Sequence, residues 1–371
     1  MYFKQLQLTQ FRNYSELEVG LSADINCFTG PNGSGKTNIL DALHYLAFTR
    51  GFRSTQDQQA VQQGQQFFFN GSVLVKNGKE QKIACNFVKG KGKKILINQK
   101  PIQKLSEHIG YIPLVAILPN DTELISGPAQ GRRRFLDMLI SQYSPSFLRH
   151  LIQYDRILSQ RNALLRLFGE QQRFSQEELE LWDEQLIPHG IAVQQGRIEF
   201  IEAYQPGFNR YFGEIVSSEE RASLKYRPSI DENTEDGWKS ALHRQQERDK
   251  VNHYTSVGIH RDDLLFYIHD RPLKNYGSQG QQKTFVIALK LAQYELLQIQ
   301  KEMAPILLLD DIFDKLDEQR LAQIAHMLNE EIQGQIFITD TSFERLSNAF
   351  GADNKREVAY FHVEKGTIQS K

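Results

Sequence analysis

Eight consecutive residues, Gly30-Pro31-Asn32-Gly33-Ser34-Gly35-Lys36-Thr37, carry the most specific chemistry in the chain. They match the phosphate-loop pattern G-x-x-x-x-G-K-[ST], whose glycines let a row of backbone N–H groups curve around an anion. A helix beginning at the end of such a loop adds unpaired N–H groups and the positive end of its dipole. Lys36 would reach the β and γ phosphates of a nucleoside triphosphate, and Thr37 would place its hydroxyl on Mg²⁺. A second stretch, Ile306-Leu307-Leu308-Leu309-Asp310-Asp311, is apolar and ends in two carboxylates, as a central parallel strand does when its C-terminal tip faces a nucleotide. Asp310 would hold Mg²⁺ through water, and Asp311 would orient or deprotonate the attacking water. Ser278-Gln279-Gly280 supplies a serine and a glycine at a helix start, a second anion site in composition, although an ordinary N-cap looks the same.

These groups need elements to hold them. Ile25 to Thr29 reads as a short buried strand, and Ile39, Leu40, Leu43, Leu46 and Ala47 recur at helical spacing, so the glycine loop sits between strand and helix. After Ser278, a helix is expected with Phe285, Leu289, Ala292, Leu296 and Ile299 on one face. Leu6 and Leu8 alternate with polar residues, which predicts an edge strand leading into a turn. From Gly71 to Ile102, alternating apolar runs around Asn77-Gly78 predict an antiparallel meander. Its second turn, Lys89-Gly90-Lys91-Gly92-Lys93-Lys94, is either a solvated hairpin tip or a loop that contacts phosphates.

Between the nucleotide motifs lies helical sequence. Leu148, Leu151, Ile152, Leu158, Leu164 and Leu165 form an apolar stripe from Ser144 to Phe168, and a second helix is expected from Glu177 to Tyr204, kinked at Pro188. Arms of roughly 25 residues would each be about 36 Å long. Ser223 to Tyr226 suggests a strand, a charged stretch with Arg244, Arg248 and Lys250 follows, and a hairpin from Leu264 turns at Asp270-Arg271-Pro272. His260, beside Asp262 and Asp263, fits a paired histidine in a polar loop better than a metal ligand, because no further ligand spacing accompanies it.

At 371 residues and 40% hydrophobic composition the chain is expected to be globular, with more than one domain. Cys27 and Cys85 are too few for a disulfide framework or a metal cluster and read as buried thiols in a reducing, cytoplasmic compartment. Neither a secretory leader nor a membrane-spanning apolar run is expected, which argues against a transporter subunit with its own membrane segments. A net charge of −1 gives no global attraction to nucleic acid, so any DNA contact would come from local basic patches. Candidates are Lys91, Lys93, Lys94, Arg132 and Arg133.

The order of phosphate loop, helical insertion, Ser-Gln-Gly-Gln-Gln, Asp-Asp strand and Phe313-Asp314-Lys315-Leu316-Asp317 resembles ABC-type ATPases of the SMC-like branch, and within it the RecF family. The resemblance extends to Phe11-Arg12-Asn13-Tyr14, Arg132-Arg133-Arg134-Phe135-Leu136-Asp137 and Gly258-Ile259-His260-Arg261-Asp262-Asp263. It implies an α/β ATPase head with an antiparallel meander and an inserted short helical arm. On that plan residues 1–130 and 251–371 form the head and 131–250 the arm. It also implies a weak, DNA-stimulated ATPase that uses ATP and Mg²⁺ and closes as an ATP-driven homodimer on double-stranded or gapped DNA. With RecR and RecO, such a dimer helps load RecA recombinase. Two positions depart from the wider superfamily: Asp311 stands where transporter-type members carry glutamate, and Thr339-Asp340 stands where a switch histidine is expected. An SMC-type chromosome ATPase is the alternative, but it requires long coiled-coil arms with sustained heptads.

Overall fold

The apolar run at Ile25–Thr29 is buried at every position, as a strand covered on both faces must be. In the computed structural model, which describes residues 1–53, 56–216, 220–313, 318–351 and 355–370, this run is β3 of a chain that starts with β1 (Tyr2–Phe11) and β2 (Tyr14–Gly20). It continues through β4 (Phe67–Lys76), β5 (Lys79–Val88), β6 (Gly92–Ile97), β7 (Lys100–Pro101) and β8 (Leu114–Ile117). The first sheet has the order β2-β1-β4-β5-β6-β7. The meander forms as expected, with Asn77 at φ 52° and Gly78 at φ 72°, the left-handed pair that a tight hairpin turn requires. β1 is not an edge strand: β2 and β4 flank it, and β2 takes the edge. The turn at Arg12 and Asn13 sends the chain back alongside β1, and the alternation in Leu6 and Leu8 reports one buried face, which an inner antiparallel strand shares with an edge.

The chain divides into two compact units, one of Met1–Thr122, Tyr211–Ser218 and Gln279–Lys371, the other of Glu123–Arg210 and Glu219–Ser278. The second unit begins earlier than residue 131 and reclaims residues 251–278 from the expected C-terminal third. The reason is a strand pairing: β9 (Ala222–Arg227) bonds to β10 (Asp263–Ile268), which in turn bonds to β11 (Arg271–Pro272). The hairpin turns at His269 and Asp270, both at positive φ, one residue earlier than expected.

Two helices of the insertion run over Pro145–Gln171 and Gln176–Val216, 27 and 41 residues, so about 40 and about 60 Å. The second helix runs on through Pro188 and Pro206. Buried Leu186, Ile187, Val193, Phe200, Tyr204 and Phe208 keep one packed face across both prolines, which outweighs a local cost of roughly 3 kcal/mol each. On the first helix the buried face is Phe147, Tyr154, Ile157, Arg161, Leu165 and Phe168; of the expected stripe Leu165 is buried, Leu148, Leu151, Leu158 and Leu164 are half-buried, and Ile152 is exposed. Arg161 lies within that face because Asp183, 2.5 Å away, and Asp249, 2.8 Å away, neutralise it.

The first unit is completed by β12 (Ile306–Asp310), β13 (Ile336–Asp340), β14 (Val358–Glu364) and β15 (Thr367–Ser370). Their sheet has the order β15-β14-β3-β13-β12-β8, parallel from β14 to β8. Parallel neighbours end at the same edge, so the residues that follow β3, β13 and β12 are brought together there. The helix Lys36–Phe48 leaves that edge and buries Ile39, Leu40, Leu43, Leu46 and Ala47. The helix Gln279–Lys301 buries Phe285, Leu289, Ala292 and Leu296, but Ile299 is 63% exposed because the helix outruns the sheet it covers. Cys27 and Cys85 are buried free thiols, each pushed up to about 12 by burial.

Candidate functional site

The phosphate loop is shaped by what surrounds its glycines. Gly30 has φ 149° and Gly35 φ 118°; a Cβ would lie 2.2 Å from the Val363 carbonyl oxygen at the first and 2.5 Å from Asn13 Nδ2 at the second. Neither position admits a side chain. The Lys36 ammonium folds back on the loop and donates to the carbonyls of Gly30 at 2.7 Å and Pro31 at 2.9 Å. Among the described residues, the N–H groups of Gly35, Lys36 and Thr37 have no acceptor, and the buried Ser34 Oγ has no partner. A buried donor without a partner is costly, and here several converge on one short loop. An anion with several acceptor oxygens satisfies them, so the residues present fit a polyphosphate. Pro31, Asn32 and Gly33 form the exposed rim of the loop.

Across the sheet edge, Asp310 Oδ1 accepts from the Thr37 hydroxyl at 2.9 Å and from the Thr339 hydroxyl at 2.7 Å. Burial raises its carboxyl, opposed by those hydroxyls, then by Arg53 and Lys36. The pairing of a hydroxyl and a carboxylate from two strand ends is an oxygen donor set suited to Mg²⁺, which keeps most of its waters. Asp311 has φ 49°, and its N–H donates to both the carbonyl and the hydroxyl of Thr339, each at 3.1 Å. Thr339 therefore holds the Asp310 carboxylate and the Asp311 backbone from the position where a switch histidine was sought. The neighbouring Asp340 is fully buried, paired with Arg345 at 3.1 Å and capped by Ser342 N. Burial lowers the Lys36 ammonium, while Asp311, Asp310 and Asp340 push it back up. Asp314 to Asp317, part of the family-like stretch after Phe313, lie outside the described residues.

Four residues at this site, Arg12, Asn13, Tyr14 and Arg53, were not singled out as functional from sequence. The Asn13 side chain and the Tyr14 hydroxyl donate to the carbonyls of Ser34 and Gly35, both at 3.1 Å. Arg53 donates to Asn38 at 2.9 Å, in the segment that Asp41 anchors through the N–H groups of Phe52 and Arg53. Arg12 forks onto Asp41 at 3.0 and 2.7 Å, which ties the N-terminal turn to the same segment. The motif Phe11-Arg12-Asn13-Tyr14 was visible, but nothing local says that its side chains reach a loop some twenty residues downstream.

Several expected contacts are committed elsewhere. Lys93 sits at the start of β6, its ammonium on the Thr49 carbonyl at 2.6 Å and Asp57 at 3.1 Å. It is a brace and not a tip residue. Arg132 forks onto Asp263 at 2.7 and 3.1 Å and also binds the carbonyls of Leu124 and Gly127. Arg133 donates to the Asp262 carbonyl at 2.6 Å. These three cations are held by partners within the protein. Lys91 and Lys94 stay exposed. His260 bonds Tyr154 at 2.9 Å and the Thr255 carbonyl at 3.0 Å, and burial lowers it to about 4. It belongs to the packing of the second unit, and no metal-ligating cluster occurs among the described residues. Ser278 and Gln279 are exposed, and Ser278 directly precedes the helix Gln279–Lys301, which carries Gly280 in its first turn.

Residues 2–369 match the family described as RecF/RecN/SMC N terminal domain. The DNA replication and repair protein RecF of Flavobacterium johnsoniae is 44% identical over 345 residues, which span 93% of this chain and 95% of that protein. The chain belongs to the RecF family. Among solved structures, "Structure of the recombination mediator protein RecF-ATP in RecFOR pathway" has a TM-score of 0.89 at 27% identity, covering 100% of this chain and 97% of that one. An Smc head bound to the C-winged helix domain of ScpA gives a TM-score of 0.59 at 14% identity, covering 100% and 97%. That second likeness shows the ABC-type head fold alone. The RecF family membership sets aside the SMC-type alternative, and the two inserted helices, 27 and 41 residues long, are no extended coiled coil. No helix among the described residues is long and apolar enough to cross a membrane.

Proposed function

We propose that the chain is an ATP-dependent DNA-binding protein of replication and recombinational repair, with a weak ATPase stimulated by DNA. The observation that carries this reading is the meeting of Thr37 and Asp310 at 2.9 Å, beside a loop whose Gly35, Lys36 and Thr37 N–H groups and Ser34 hydroxyl have no partner among the described residues. In this reading the N–H groups of Gly35, Lys36 and Thr37 hold the phosphates, and Lys36 leaves its own loop carbonyls for the β and γ oxygens. Thr37 and Asp310 would hold Mg²⁺, which would supply neutralisation of the charge that develops on the phosphates. Asp311, fixed by Thr339, takes the proton of the attacking water. Its shorter side chain relative to glutamate fits slow turnover.

Exposed Ser278 and Gln279 at a helix start form the second anion site, which a two-fold dimer brings onto the partner's γ-phosphate. ATP then drives dimerisation, and the dimer holds gapped or double-stranded DNA, with Lys91 and Lys94 as phosphate contacts. The name RecFOR pathway attached to a structural neighbour supports RecO and RecR as partners, and helping to load RecA recombinase is the outcome in this reading. A cytoplasmic location accords with this role.

The first test is anisotropy of labelled gapped DNA with and without ATP. Affinity is expected to rise with ATP, fall steeply with salt as counterions are released, and lose its ATP dependence in Lys36→Ala. If calorimetry gives Lys36→Ala the nucleotide affinity of the native protein, the phosphate-loop assignment fails. The shared site has its own test. Lys36→Ala and Ser278→Arg are each expected to be inactive, yet a mixed dimer holds one site with an intact loop and an intact signature. Mixing should restore partial ATPase activity; no recovery in demonstrated mixed dimers would reject independent, shared sites.

A further inference from the structure

Asn13 and Tyr14 have no part in the reaction proposed above, yet both are bonded to the phosphate loop itself. Asn13 Nδ2 donates to the Ser34 carbonyl at 3.1 Å, and the N–H of Gly366, between β14 and β15, donates to the same oxygen at 3.3 Å. Asn13 is in turn fixed by Asn38, whose Nδ2 donates to its Oδ1 at 2.7 Å. The Tyr14 hydroxyl donates to the Gly35 carbonyl at 3.1 Å. The contact is close: a Cβ on Gly35 would stand 2.5 Å from Asn13 Nδ2 and 2.8 Å from the Tyr14 oxygen.

A peptide unit is planar and trans, so its C=O and N–H point in opposite directions, and fixing the oxygen fixes the hydrogen. Bonds to the Ser34 carbonyl therefore aim the Gly35 N–H away from Asn13. The Gly35 carbonyl also accepts from the Asn38 and Ile39 N–H groups of the following helix, at 2.9 and 3.3 Å, so the Tyr14 bond acts together with the first helical turn to aim the Lys36 N–H away from Tyr14. These are two of the N–H groups that have no acceptor among the described residues.

We propose that Asn13 and Tyr14 are positioning residues for the nucleotide, locking two peptide planes of the phosphate loop so that the Gly35 and Lys36 N–H groups are aimed at the β-phosphate before it binds. The inference rests on the reading of this loop as a nucleoside triphosphate site. Its value lies in pre-organisation: a loop already set in its bound form loses less freedom on binding. The β-phosphate is present in both ATP and ADP, and is held alike before and during transfer of the γ-phosphate. Loss of its donors thus removes uniform binding, which raises KM and leaves kcat.

The experiment is calorimetric titration of the full chain with ADP and with a non-hydrolysable ATP analogue, alongside steady-state ATPase kinetics. Asn13 is exposed, so Asn13→Ala leaves the core intact; Tyr14→Phe keeps the buried ring and removes only the hydroxyl. Each is expected to weaken both nucleotides by the same factor, roughly ten-fold, which is the scale for a misaligned hydrogen bond to a charged group. KM should rise with it, with kcat within about two-fold and the thermal midpoint of the nucleotide-free protein unchanged. Asn13→Asp, which still accepts from Asn38 but cannot donate to Ser34, should behave like Asn13→Ala. Native affinity in Asn13→Ala and Tyr14→Phe overturns the proposal, as does a fall in kcat at constant KM. A loss of affinity that merely tracks a fall in thermal midpoint across the three variants also overturns it. If the native protein binds neither nucleotide, the site reading fails first; if it binds both and only these variants match it, the fault lies with the peptide-plane lock alone.

Discussion

Asp311→Asn is expected to bind ATP and Mg²⁺ as the native chain does and to hydrolyse ATP roughly 100-fold or more slowly, the scale for removing a positioned general base. The amide keeps the shape of the side chain, and the backbone that positions it stays anchored by Thr339 through two bonds of 3.1 Å. What it loses is the ability to accept the proton of the attacking water. Binding is expected to survive because Lys36, Thr37 and Asp310, the groups proposed to hold nucleotide and metal, are untouched. The variant should therefore accumulate as ATP-bound dimer and show prolonged residence on DNA. Single-turnover hydrolysis and size-exclusion chromatography measure the two halves of this expectation. Turnover at the native rate would remove Asp311 from the chemistry and leave Asp310 and Thr339 as a metal site without a base.

The second large effect lies in the arm unit and concerns stability. Arg197 is 1% exposed; it forks onto Asp137 at 3.0 and 2.9 Å and also binds Asp262 at 2.9 Å and the Ile259 carbonyl at 2.8 Å. Asp262 also accepts from Tyr226 and, at 2.7 Å, from the Ser229 N–H. Arg197→Met preserves most of the volume but strands buried carboxylates without their cation, which costs roughly 3–5 kcal/mol. Both tryptophans of the chain, Trp182 and Trp238, belong to this unit, so their fluorescence during urea unfolding reports on it directly. A midpoint that moves by less than the equivalent of about 1 kcal/mol would mean that water reaches the cluster and that its charges are solvated.

These cases also show where sequence is legible. The phosphate loop could be read in full because its residues are contiguous and its chemistry depends on backbone shape. Asp310 was legible because a fully apolar strand announces its own end. The β meander followed from Asn77-Gly78. Cations were harder: Arg132 and Arg133 look like a basic run, but their partners, Asp263 and the Asp262 carbonyl, lie far along the chain. Nothing near Lys93 in sequence reveals its partners Asp57 and Thr49. The second arm helix runs past the expected end at Tyr204 to Val216 because its packed face continues, and on the first helix Arg161, inside a buried face, breaks the apolar pattern. Asn13 and Tyr14 could be seen only as part of a family motif, since their work depends on a register that brings β1 and β2 up to the loop.

The strand order of the parallel sheet has a consequence for synthesis of the protein. β3, which launches the phosphate loop, pairs with β13 on one side and β14 on the other: Ile25 faces Ile336 and Val358. A ribosome makes β3 among the first strands and both of its neighbours among the last. Until then Ile25–Thr29, buried at every position in the finished fold, has no sheet to join, and loop closure over nearly the whole chain must precede its pairing. The antiparallel meander and the arm unit, whose pairings are more local, can form in the meantime. The nascent chain thus carries an exposed, sticky strand for most of its translation, a natural client for a holding chaperone. The sheet edge that carries the phosphate loop is therefore completed only with the final strands.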